Sequence, residues 1–191
     1  MTGYLAYVDH PLALQIATGL IGSEVGLSKS TQSTAGVNFK VIFSATEMAQ
    51  HSTTTRLEHL LPEVLVDALV DAVPNTFDLL DDVRDRLHAG HSEHLMPGSS
   101  LHLRRAQLFA VPDDAEGVEK VLAGEECEVA LLRSGDFEIR AFMNLAHAGA
   151  VSRLYSKPLE VLGVLRYTPS YGDGGASAVN LGLRVAALWL K

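Results

Sequence analysis

At 191 residues the chain is long enough for one domain with a self-sufficient core, since domains of ~150 residues bury roughly 70% of the surface their unfolded chains expose. Hydrophobic residues make up 47% and charged residues 20%, which excludes wholesale disorder. A formal net charge of -8 opposes duplex binding, which depends on clustered Lys and Arg, so nucleic acid is not an expected partner.

Arg104 and Arg105 are adjacent, but neighbours on a strand point to opposite faces and make no patch. The single cysteine, Cys127, excludes an intramolecular disulfide and fits a reducing compartment; it reads as a small buried residue entering a strand. No basic leader segment precedes an apolar stretch and no run of ~18 apolar residues occurs, so a cytoplasmic, non-membrane protein is expected.

In chain order, Tyr4 to Val8 reads as a strand. Asp9 then caps a helix with Pro11 in its first turn and Leu12, Ile16 and Leu20 on one face, ending near Gly22. Capping accounts for Asp9 without assigning chemistry to the Asp9-His10 pair. Ser23 to Gly36 is rich in Ser, Thr and Gly and reads as an exposed loop or polar edge ribbon. Val37 to Phe43 alternates as a strand does, and Ser44 to Thr55 has no clear pattern.

From Leu57 to Ala72 the apolar spacing is helical, with a break near Leu61 and a new helix starting at Pro62. Pro74 ends it, and Asn75 is expected to cap a further helix with Phe77, Leu80, Val83 and Leu87 on one face. Asp78, Asp81, Asp82 and Asp85 share its solvent side and read as a solvated face. The Pro- and Gly-punctuated segment 96–100 is a sub-boundary within a single domain spanning 1–191.

Beyond it, residues 101–111 read as a strand and Pro112 to about Ala123 as a helix. Strands follow at 128–133 and 137–143, joined by a tight turn at Ser134-Gly135-Asp136, then a short helix over 144–155 and a strand over 159–168. This β-α-β-β-α-β order predicts an α+β fold with a ferredoxin-like antiparallel sheet packed on N-terminal helices. Gly172 to Gly175 is a hairpin connection into a long apolar strand, 178–190. An apolar terminal strand needs cover, and pairing across a subunit boundary predicts a homo-oligomer.

The sharpest cluster of chemistry-bearing residues is His88, His91 and His94, with Glu93 between and His102 beyond. Imidazoles at this spacing suit zinc if the helix ends at Gly90; the same histidines also suit a helix C-terminus through its dipole. No Gly-x-Ser-x-Gly elbow, dinucleotide glycine motif or P-loop occurs. The opening Tyr4-Leu5-Ala6-Tyr7-Val8-Asp9, the helix with Gly19-Leu20, and the strand Pro158 to Arg166 together resemble a bacterial family known as a domain of unknown function. That resemblance implies no activity and no catalytic residue, and an accessory or defence-system role goes with it as an expectation. The reading is a non-enzymatic cytosolic module that binds a small ligand or a protein partner, without a cofactor. A metal-dependent hydrolase using His88, His91 and His94, with zinc as the candidate metal, is one alternative, and a structural or assembly component is the other.

Overall fold

The computed structural model of the chain describes residues 3–27, 60–88, 95–111, 121–122, 125–135, 137–146, 151–168 and 180–191. Strand β1 (Tyr4–Val8) leads into helix α1 (His10–Leu27); α2 (Pro62–Ala72), β2 (Thr76–Phe77) and α3 (Leu80–His88) follow. The remaining strands are β3 (Ser100–Ala106), β4 (Leu108–Ala110), β5 (Val121–Leu122), β6 (Glu125–Ser134), β7 (Phe137–Asn144), β8 (Leu159–Thr168) and β9 (Asn180–Leu190). The fold is α+β, with three α-helices among the described residues set against a sheet of mixed strand orientation. No helix among them is long and apolar enough to cross a membrane.

The pairing is what defines the architecture. Hydrogen-bonded neighbours run β3-β8-β9-β7-β6-β4, and β3 and β4 are separated in the chain only by Gln107. One bent strand thus pairs with β8 through its first half (Ser100 opposite Val164) and with β6 through its second (Leu108 opposite Leu132). The sheet therefore closes on itself as a barrel, which removes the open edges a flat sheet would leave. Every contact around the ring is antiparallel except β7 with β9, which is parallel. Counting β3/β4, β6, β7, β8 and β9 as successive strands, this is the connectivity of the OB-fold, a five-stranded, partly open Greek-key barrel.

The ferredoxin-like order is therefore corrected. The expected strands form, β8 at its stated residues, but β9 lies between β8 and β7 instead of being added outside them. Its composition explains the position: Leu183, Val185 and Leu188 face one core and Ala186, Ala187 and Trp189 the other, so only a central strand buries both faces. β8 covers one edge of β9 along its length, while β7 and then β1 share the opposite edge, with Leu5 opposite Trp189. The edge that motivated self-association is thus occupied within the chain.

The barrel interior holds Leu101, Leu103, Leu108, Ala130, Leu132, Ile139, Ala141, Met143, Leu159, Val161 and Leu165, and a 3-10 turn at Val151–Leu154 adds Val151 and Leu154. α3 contributes Leu80 and Val83 to that cluster. A second core lies outside the barrel wall, where Leu12, Ala13, Ile16 and Ala17 of α1 and Leu65, Val66, Leu69 and Val70 of α2 pack on Leu162, Val164 and Trp189.

Local readings fare unevenly. Asp9 caps α1 as expected: the Leu12 N–H donates to Asp9 Oδ1 at 3.0 Å. α1 runs past Gly22 to Leu27, because Ser23 to Leu27 holds no proline to stop it. α2 starts at Pro62, where a missing N–H costs nothing. Asn75 is not a cap. Its side-chain amide donates to Ser100 O at 3.1 Å and its backbone carbonyl accepts from the His102 N–H at 2.9 Å, so it ties β2 to β3. The helix expected to reach Ala123 is a strand at Val121–Leu122, paired with Glu125 and Glu126. The rest of that segment and the strand expected at 37–43 lie outside the described residues, while of the helix expected over 144–155 a 3-10 helix forms at Val151–Leu154, 144–146 are not helical and 147–150 lie outside the described residues. Segment 96–100 is a turn in which the Ser99 N–H donates to Met96 O at 2.9 Å and Gly98 takes φ +91°.

Candidate anion-binding cleft

Of the cluster singled out by sequence, only His88 and His102 fall among the described residues. His88 is exposed at the end of α3, and Glu93, His91 and His94 lie outside the described residues. Among the described residues no three His, Cys, Asp or Glu side chains are grouped to hold a metal ion. His102 stands apart on β3, buried, with Nε2 at 2.7 Å from Glu160 Oε1; Lys191 Nζ reaches the other carboxylate oxygen at 3.3 Å. Burial drives the His102 imidazole below its ordinary pKa, and the opposing pull of Glu160 does not offset it. The neutral ring then carries its hydrogen on Nε2, donating to Glu160, and Nδ1 is a bare lone pair without a partner.

The acidic residues in and just before α3 are engaged in structure. Asp81 binds Arg84 at 2.9 Å and accepts from the Ser134 hydroxyl at 2.6 Å, Asp82 caps the Leu79 N–H at 2.9 Å, and Asp78 meets Arg104 at 3.3 Å. Asp9, buried at the start of α1, faces Arg184 at 3.5 Å. Cys127 is buried on β6. The polar segment 23–36 contributes its first residues to α1, and 28–36 lie outside the described residues.

Among the described residues two hollows offer room for a ligand. The smaller, about 300 Å3, opens at one end of the barrel over Leu80, Leu132 and Leu159. Its cations already have carboxylates: Arg133 with Glu138 at 2.8 Å, Lys191 with Glu160 at 3.3 Å, Arg105 with Asp78 at 3.7 Å.

The larger, about 800 Å3, lies between α1 and the outer face of β8. Its size is that of a small-molecule site. α1 supplies Gln15, Ile16, Gly19 and Leu20 along one side; Asn75 and Ser99 come from the connections before β2 and β3, and Ser100 from the start of β3. Arg86 of α3 and Arg166 of β8 complete it, and the described lining contains no carboxylate. Among the described residues neither arginine has an ion-pair partner, and Arg166 Nε is shut off from solvent with no acceptor. A buried donor without a partner costs about 1–3 kcal/mol, more when charged, and an acceptor entering the cleft, an anion among them, would relieve it. Sequence reasoning missed this site. The two arginines are 80 positions apart, and nothing in the local pattern around either points to the other.

Comparisons with known proteins add little. No family model matches the chain, and no curated protein matches it. A crystal structure described as an aspartyl-tRNA synthetase from Leishmania major Friedlin aligns at 10% identity over 52% of this chain and 19% of that chain, with a TM-score of 0.34, and at that score carries no argument.

Proposed function

We propose that the protein is a non-enzymatic module that binds a small anionic ligand in the cleft between α1 and β8. One observation carries this reading. In a chain with net charge -8, two arginines without carboxylate partners among the described residues line a single cleft, and one has a desolvated, unsatisfied N–H. Guanidinium forks match phosphate, sulfate and carboxylate oxygens, and hydrogen bonds between ionised groups are about twice as strong as neutral ones. Ser99, Ser100 and Asn75 add neutral polar groups to the same wall.

The test is thermal melting in inorganic phosphate against chloride at equal ionic strength. A ligand at 100 times its Kd stabilises by about 2.7 kcal/mol, which in a domain of this size raises Tm by roughly 5–10 °C. Arg166→Gln and Arg86→Gln should each abolish most of that rise. A Tm that phosphate and sulfate leave unchanged would overturn the reading.

A further inference from the structure

We infer that the cleft is shaped for a phosphorylated polyol, with Gly19 of α1 as the residue that makes room for the polyol body; this rests on the anion-binding reading above. Glycine weakens a helix interior, yet Gly19 sits in the third turn of an otherwise continuous α1. It requires no special backbone angle, and a Cβ built there meets nothing within 4 Å, so neither backbone conformation nor close packing accounts for it. What the missing side chain leaves is open volume in the cleft wall, one turn from Gln15 and beside Leu20.

The chemistry around that volume is divided. The arginines supply charge for a phosphate. Ser99, Ser100 and Gln15 supply two hydroxyls and an amide, while Ile16, Leu20 and Val164 supply apolar surface. No Phe, Tyr or Trp is among the described lining residues, so the stacking platform that a nucleobase favours is missing there. A sugar ring or open polyol has hydroxyl edges for the first group and C–H faces for the second. A volume of about 800 Å3 admits a body of that size in addition to the phosphate.

Isothermal titration with inorganic phosphate and with glucose 6-phosphate tests this. The sugar phosphate should bind at least about tenfold tighter than phosphate alone, since its hydroxyls add several hydrogen bonds that phosphate lacks. Gly19→Leu, which fills the space, should erase that advantage and leave phosphate affinity within about twofold. Gly19→Gln, a polar helix former, gives the same readout should the leucine variant fold poorly. Equal affinity for the two probes, or loss of both probes alike in the Gly19 variants, would overturn the polyol inference while leaving the anion site standing. Absence of phosphate binding in the unaltered protein would remove both.

Discussion

Single residues decide where this protein is tense. His102 is the clearest case, because its neutral form fits its setting and its charged form does not: protonation would place an N–H on Nδ1 where no acceptor exists. With the folded pKa below the unfolded value of about 6.5, the unfolded chain binds more protons in the interval between them, so stability rises with pH there. Its contribution is complete above about pH 6.5 and is lost as pH falls through the lower, folded value. Urea midpoints measured from pH 5 to 8 should show this acid limb, and His102→Gln, which can still donate to Glu160, should flatten it. Equal slopes in the two proteins would show that His102 does not set the limb. Gly19 makes a separate prediction on stability alone: Gly19→Ala should raise unfolding free energy by about 0.5–1 kcal/mol, since the methyl meets no atom and the unfolded chain loses freedom. An unchanged or lower urea midpoint would mean that the helix is distorted at that turn.

At the scale of elements, β8 and β9 are the seam on which the barrel is assembled. Their ladder runs from Leu159 opposite Leu190 to Thr168 opposite Asn180, with one register shift at Leu162/Gly163. Gly163 is needed there for close approach: a Cβ would stand 2.5 Å from Arg184 O and 2.9 Å from Leu183 Cγ. Gly163→Ala should therefore force the two strands apart and cost about 1–3 kcal/mol, read from the denaturant midpoint. A neutral effect would place the strands farther apart than the ladder implies. Most elements of this seam were legible in the chain. Leu159, Val161 and Leu165 face the inner core and Leu162 and Val164 the outer one, and Pro62 marks the start of α2 because a helix tolerates proline only in its first turn. The bend at Gln107 was not legible, since nothing in Leu101 to Val111 distinguishes a straight strand from one shared by two neighbours. Asn75 misled for a related reason: its side chain suits a helix cap, but in the fold it finds Ser100 O, 25 positions away.

For the whole molecule, one barrel wall separates two cores, and Trp189 joins the outer core to both β1 and β8. Trp189→Ala should cost about 3–5 kcal/mol, a large share of the 5–15 kcal/mol typical of a domain, and calorimetry should show a single transition at lower temperature. A loss under 1 kcal/mol would mean the α1–α2 layer adds little to the barrel. By itself the sequence determined the apolar periodicities, and through them the existence of most strands and helices, the cap at Asp9 and the small buried role of Cys127. Only the tertiary structure decided the order of the strands, because pairing partners follow from which faces must be buried together, and β9 could be placed centrally only once two cores claimed its two sides. It also decided the cleft. Gly19, Arg86 and Arg166 are far apart in the chain, and a side chain's partners, or its lack of them among the described residues, are properties of the folded neighbourhood.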